Sequence, residues 1–397
     1  MAIDKQKTLK LLEELVAIAS VNPTLVPATR HGGQATGGPG ASGEQRASEH
    51  VRDFLRANGI AAELEEAAAG RPNVVATIGP ANVKPALIIV AHMDTVGAGD
   101  MREPFTPRVR DGKMYGRGAL DIKSGVAAMC AAAVEIVREG AQLARPVIIA
   151  SVVDEECNSI GTEALLRRGH TAEAAIVLEP TDLKLVVAHK GYAWFKIVTH
   201  GRAAHGSLPA EGRDAIRMMG RVLVALDELE TRLASRAPHA RLGNASLHAS
   251  LIEGGQELSS YPAECRMQLE RRTLPGETEQ SAEAELREML AGLEKQDAEF
   301  RATLRGGLGA RPAYEIREDS PLVQRARKVI AHVCGACELS GMAAWTDTAL
   351  LASAGIPGVV FGPTGRGLHG AEEYVEIESV GKCAEALREM ILEFCRK

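Results

Sequence analysis

Apolar positions along this chain follow two periods that alternate and then change character. The opening MAIDKQKTLKLLEELVAI spaces its apolar residues at helical intervals, with Asp4 and several lysines between them, and predicts an amphipathic helix. PATRHGGQATGGPGASGEQ has no apolar period and predicts a long flexible loop ahead of a second helix in ASEHVRDFLRANG. Short unbroken apolar runs follow, NVVATI, ALIIVAH, PVIIASVV and AAIVLEP, interleaved with the helical SGVAAMCAAAVEIVREG. Strands apolar on both faces, alternating with helices, predict a layered α/β domain around a buried sheet.

From about Ala188 the texture shifts to amphipathic strands, GYAWFKIVTHGRAAH, SLHASLIEGG and ECRMQLERRT, around helices such as DAIRMMGRVLVALDELETRLA. This is the pattern of an inserted α+β domain over residues 188–311. The helix SPLVQRARKVIAHVC and the buried-strand run GIPGVVFGP then return to the first texture, so residues 312–397 complete the domain begun by residues 1–187. A chain of 397 residues also exceeds what one core usually serves.

Composition narrows the partners. A formal charge of -6 with no long basic stretch argues against nucleic acid and for a small-molecule partner. No apolar run is long enough to span a bilayer, and the N-terminus lacks the apolar core of a signal peptide, so a cytoplasmic enzyme is expected. Seven scattered cysteines do not suggest a disulfide framework. Cys334 and Cys337 in HVCGAC have redox or zinc spacing, but no second pair follows, and burial in a helix is the competing reading.

Candidate chemistry collects where strands end. His92 and Asp94 in AHMDTV stand two residues apart at a strand end, a spacing that suits a metal ligand and a carboxylate that orients it, or merely a structural pair. Asp121 lies in the glycine-flanked turn YGRGALDIKSG, which superficially suggests a dinucleotide loop. The third glycine of that motif would fall at position 121, and a carboxylate there repels a pyrophosphate but suits a cation. Asp154, Glu155 and Glu156 end another strand, either as a solvated turn or as a ligand with an adjacent base. Glu179 ends a third strand, and His369 lies in a glycine-rich segment near the far end of the chain. His31 within the long loop is either a substrate contact or part of a mobile surface. Charge accounting favours two ions, and imidazole with carboxylate but no thiolate fits zinc, with cobalt or manganese as alternatives.

AHMDTV, YGRGALDIKSG, DEE, LEP, GRAAHGSLPAEGRDAI, ERRTLPGE and LHGAEEYVEI together resemble the M20 metallopeptidases, the group that includes acetylornithine deacetylase, succinyl-diaminopimelate desuccinylase, carboxypeptidase G and aminoacylase-1. The resemblance runs nearly the whole chain. It implies a zinc-exopeptidase-like catalytic domain with a mixed central sheet and an inserted lid and dimerisation domain. One metal ion would be held by His92 and Glu179, the other by Glu156 and His369, with Asp121 bridging, Asp94 behind His92 and Glu155 as general base. It also implies a cis peptide bond after Asp121, His205 reaching a partner subunit's active site in a homodimer, and Arg272 gripping a substrate carboxylate, with Arg271 as the alternative. Lys190 and Ser259 are further candidates for substrate contact. Ser259 departs from the family pattern, since GGQELSSYP has serine where many members have asparagine.

The expected reaction is hydrolysis of the amide bond of an N-acyl amino acid by water that the two ions activate and Glu155 deprotonates. Carboxypeptidase G-like release of a C-terminal residue, aminopeptidase activity and a noncatalytic metal-binding dimeric regulator are the alternatives. A serine hydrolase is disfavoured by the absence of a G-x-S-x-G elbow.

Overall fold

The computed structural model describes residues 3–25 and 42–396, so His31 lies outside the described residues. The chain forms two compact units, Met1–Val187 with Ile316–Ser340 and Thr346–Lys397, and Ala188–Glu315 with Gly341–Trp345. The second unit runs past residue 311 because Tyr314–Glu315 pairs antiparallel with His189 and Ala188. It takes in Trp345, whose indole N–H donates to the Pro312 carbonyl at 3.1 Å.

The first unit is a mixed α/β domain. Its sheet runs in the order Ala62–Ala68, Arg71–Ile78, Val147–Val152, Leu87–His92, Ala174–Leu178, Gly358–Phe361 and Leu185–His189. Val147–Val152, Leu87–His92, Ala174–Leu178 and Gly358–Phe361 are mutually parallel, and the flanking strands pair antiparallel. Leu87–His92, Val147–Val152 and Ala174–Leu178 are buried at every position, as their unbroken apolar runs require. The alanine-rich Ser124–Arg138 helix is buried on nearly all sides in the same core as Leu11, Leu12 and Leu15 of the Lys5–Ala17 helix and Leu387, Met390 and Ile391 of the Ile377–Cys395 helix. Small side chains on that helix let its neighbours approach closely. Three parallel strands therefore end side by side, with His92 in register with Val152.

The second unit is an antiparallel sheet in the order Ser246–Gly254, Glu264–Thr273, Gly191–His200 and Ala302–Arg305. Burial alternates along Gly191–His200, sending Ala193, Phe195 and Ile197 into a core with Met219, Val222 and Leu226 of the Ala215–Ala234 helix and Leu286 of the Glu279–Gln296 helix. Asp214 caps the first of these helices by accepting from Arg217 N, and Thr278 and Ser281 form a capping box on the second.

Candidate active site

The carboxyl ends of the three parallel strands supply the chemistry. His92 is the last residue of its strand and is 2 % exposed. Its Nδ1 lies 3.0 Å from the Asp94 backbone carbonyl, which can only accept, so Nδ1 carries a proton and Nε2 faces the cluster. Nε2 is 3.3 Å from Asp121 Oδ1, 3.7 Å from Glu179 Oε1 and 3.8 Å from Glu155 Oε2. On the other side of Asp121, Oδ2 is 3.4 Å from His369 Nε2, which is 3.3 Å from Glu156 Oε2. The five side chains thus form two ligand sets that share one carboxylate: His92, Asp121 and Glu179, and Asp121, Glu156 and His369. Glu155, beside the first set, belongs to neither.

These residues fit divalent cations. Oε1 of Glu156 and Oε1 of Glu179 are buried and accept no hydrogen bond among the described residues, a costly state for carboxylate oxygens unless a cation meets them. Burial and the Glu179 charge push the Glu155 carboxyl well above the usual range, and burial with the nearby Asp121 raises Glu179 as well. Burial disfavours the His92 imidazolium, but the Asp121 hydrogen bond and the Glu179, Glu155 and Asp94 charges outweigh it and lift the pKa well above normal. Imidazole and carboxylate donors without thiolate are the zinc-type set, which cobalt and manganese share.

Buried hydrogen bonds hold the ligand turns in place. The Asp94 carboxylate accepts from Glu155 N at 3.1 Å, Glu156 N at 3.2 Å and Asn22 Nδ2 at 2.8 Å, and lies 3.6 Å from His92 Nδ1. It thus fixes the turn that carries Glu155 and Glu156, while its own backbone carbonyl orients His92. Asp154, at φ 68°, turns away from the cluster and accepts from Arg71 at 2.6 Å and Asn22 at 3.0 Å. Arg71 also pairs with the buried Glu44. Glu373 accepts from the backbone N–H groups of Gly118, Leu120 and Asp121 and from Arg117 at 2.7 Å, clamping the loop that presents Asp121. The Asp121–Ile122 peptide bond is cis.

Residues 88–393 match the model of Peptidase family M20/M25/M40. The chain belongs to that family. It is therefore a hydrolase acting on amide bonds. It is 28% identical over 423 aligned residues to N-formyl-4-amino-5-aminomethyl-2-methylpyrimidine deformylase of Halalkalibacterium halodurans, covering 99% of this chain and 96% of that protein. It is 27% identical over 336 residues to acetylornithine deacetylase of Buchnera aphidicola, covering 81% and 84%. Its fold is similar to that of a tripeptidase from Staphylococcus aureus, with a TM-score of 0.78, 21% identity and full coverage of both chains.

The second unit places the remaining candidates. His205 is exposed, and its Nδ1 accepts from Ser207 N at 3.2 Å, which leaves the proton of the neutral ring on Nε2. Ser259 lies next to it, its carbonyl accepting from Gly206 N at 2.7 Å. Strand alternation separates the two arginines. Arg271 is 1 % exposed and bonded to Glu277 and Glu285, whereas Arg272 is on the opposite face beside Glu270. Lys190 donates to the Asn244 carbonyl at 2.6 Å. Cys334 and Cys337 are free thiols that burial pushes above the usual pKa, unlike reactive thiolates.

Sequence reasoning missed Glu44, Arg71, Asn22 and Glu373. A signal was present in the charged or amide residues inside or bordering otherwise apolar stretches, SVNP and RPNVVATI, because buried strand neighbours are rarely polar without a partner.

Proposed function

We propose that this hydrolase removes the acyl group from a small N-acyl amino acid, with Glu155 as general base. The observation that carries the reading is the pair of ligand sets joined through Asp121, with a half-buried Glu155 carboxylate 3.8 Å from His92 and outside both sets. Two divalent ions, zinc in this proposal, would be held by His92, Asp121 and Glu179 and by Asp121, Glu156 and His369. When bound, they would supply Lewis-acid polarisation and make water a stronger acid.

Glu155 then takes the proton from the attacking water and delivers it to the leaving amine. Asp94 holds the base in place through the backbone amides of Glu155 and Glu156. His205, a donor at Nε2, would stabilise the carbonyl oxygen of a substrate bound to a partner subunit, with Ser259 beside it. Arg272 and Lys190 would bind the substrate carboxylate.

A homodimer is supported by the Ser246–Gly254 strand, which pairs along one edge only among the described residues. It exposes Leu251 and Ile252, and the nearby helix exposes Ile216 and Val224. A bare apolar strand edge is a natural seat for the same edge of a second copy. Deacylation ranks above carboxypeptidase-like cleavage because the relatives that cover most of the chain are named as a deacetylase and a deformylase.

The test compares the natural protein with Glu155→Gln on N-acetyl, N-formyl, N-succinyl and dipeptide substrates. The substitution should lower kcat by roughly 100- to 10,000-fold with bound metal unchanged. Retention of activity in the variant would remove Glu155 from the mechanism.

A further inference from the structure

One buried carboxyl of the first unit belongs to neither ligand set. Asp347 is 1% exposed and stands immediately before the Thr348–Ser353 helix. A carboxyl in that position ordinarily caps its own helix by accepting from the first amides, but the Asp347 side chain makes no such bond. It turns instead to the Ile160–Arg167 helix, where Oδ2 accepts from the Thr162 hydroxyl at 2.6 Å, across 185 residues of sequence. Burial raises the Asp347 carboxyl to about 6, and the hydroxyls of Thr162 and Ser159 oppose that rise.

The helix that Asp347 meets begins where the Asp154–Glu155–Glu156 turn ends. Ser159, at its start, is buried at φ 56° and donates its amide to the Asp154 carbonyl at 2.6 Å. The turn is therefore held on both sides, by Asp94 through the amides of Glu155 and Glu156 and by Asp347 through Thr162. Holding Thr162 alone does not require a charge, since a neutral amide oxygen accepts the same hydroxyl at less cost of desolvation. Oδ1 of Asp347 is nevertheless buried and makes no hydrogen bond among the described residues. Burial raises the Glu155 and Glu179 carboxyls, and the charge of Asp347 adds to the rise in both, so the three carboxylates stand near one another. Like charges repel, and a fixed carboxylate on Thr162 disfavours rotamers that swing Glu155 towards it. The rotamer that remains is the one 3.8 Å from His92.

We propose that Asp347 is a positioning residue for the hydrolysis: bonded to Thr162, it fixes the far end of the Glu155 turn and, by repulsion, keeps the Glu155 carboxylate beside His92. All of these residues belong to the first unit. The proposal rests on the reading of Glu155 as general base.

The experiment follows steady-state hydrolysis, by zinc-loaded protein, of whichever N-acetyl, N-formyl or N-succinyl amino acid it cleaves fastest. Asp347→Asn keeps the size of the side chain and an acceptor for Thr162 while removing the charge. It should lower kcat by roughly 10- to 100-fold with KM changed by less than about threefold. Thr162→Val should lower kcat by a smaller factor, and Thr162→Ser, which restores the hydroxyl, should recover it. Bound metal and thermal unfolding of Asp347→Asn should match those of the natural protein. Combined with Glu155→Gln, Asp347→Asn should cost nothing further, because a residue that acts through the base has no effect once the base is gone.

Unchanged kcat in Asp347→Asn, a fall in kcat accompanied by loss of bound metal or of the folded state, or losses that multiply in the double variant would overturn the inference while leaving Glu155 as the base. Full activity in Glu155→Gln, or no metal-dependent turnover of any N-acyl amino acid, would instead overturn the reading of the site, and this inference with it.

Discussion

Asp94 shows how much of the site depends on side chains that meet neither metal nor substrate. Its two oxygens accept on both sides, from the backbone amides of Glu155 and Glu156 and from Asn22. An amide in its place can accept only at its oxygen and turns an NH2 group towards another donor. Asp94→Asn should therefore cost roughly 10- to 100-fold in kcat with a smaller change in KM, as outer-shell losses usually do. Steady-state kinetics on the substrate cleaved by the natural protein would measure this, and an unchanged kcat would count against the positioning role. The sequence places Asp94 behind His92, and the pairing is present, but the nearer acceptor to His92 is the Asp94 backbone carbonyl at 3.0 Å. Spacing alone shows that the two residues share a strand end. It does not show which atom does the orienting.

At the scale of elements, the turn that carries Glu155 hangs on a buried ionic cluster in which Arg71 is the cation facing both Glu44 and Asp154. The two carboxylates are 0% and 1% exposed, so Arg71→Met leaves buried charge without a partner and should destabilise the protein by about 3–5 kcal/mol. Urea unfolding read by circular dichroism would measure it. A loss below about 1 kcal/mol would mean that water reaches these carboxylates.

His189, at the end of its strand, provides a pH test. Burial pushes its imidazole down to about 4, below the usual 6.5, and Nδ1 is bonded to the Lys190 carbonyl. Between those values the unfolded chain binds a proton that the folded chain refuses, so stability falls as pH drops from 6.5 to 4. The loss is about 3 kcal/mol for the full shift. His189→Asn should remove that portion of the acid sensitivity, and parallel stability curves for variant and natural protein between pH 7 and 4.5 would contradict it.

The four apolar strand runs were legible as elements because burial on both faces leaves an unbroken pattern. Ala62–Ala68 was not, since AELEEAA has helix-forming residues and no alternation. It is an edge strand whose Glu63 and Glu66 face solvent and whose pairing with Arg71–Ile78 is tertiary. The Gly43–Ala57 helix likewise begins ahead of its apolar period, where Ser42 caps it and Glu44 turns inward to Arg71. Hydrogen bonding sets that start, and apolar spacing carries no record of it.

For the whole molecule, ends of strands far apart in sequence converge on two candidate cation sites that share Asp121. The candidate metal ligands could be picked out because each follows an apolar run or a glycine-rich turn in the order the family shares, whereas Glu373 could not, because its partners are backbone amides more than 250 residues away. Ligands drawn from five segments also tie the first unit together, so bound metal should stabilise it by mass action. Among the described residues no helix is long and apolar enough to cross a membrane.

The most direct test is titration of metal-free protein with zinc, following N-acyl amino acid hydrolysis and bound metal together. Activity absent without metal, rising to a plateau at two equivalents per chain and lost again on chelation, is the predicted result. Full activity in the metal-free protein, or a plateau unaffected by removing the shared ligand in Asp121→Ala, would rule out two-metal hydrolysis at this site.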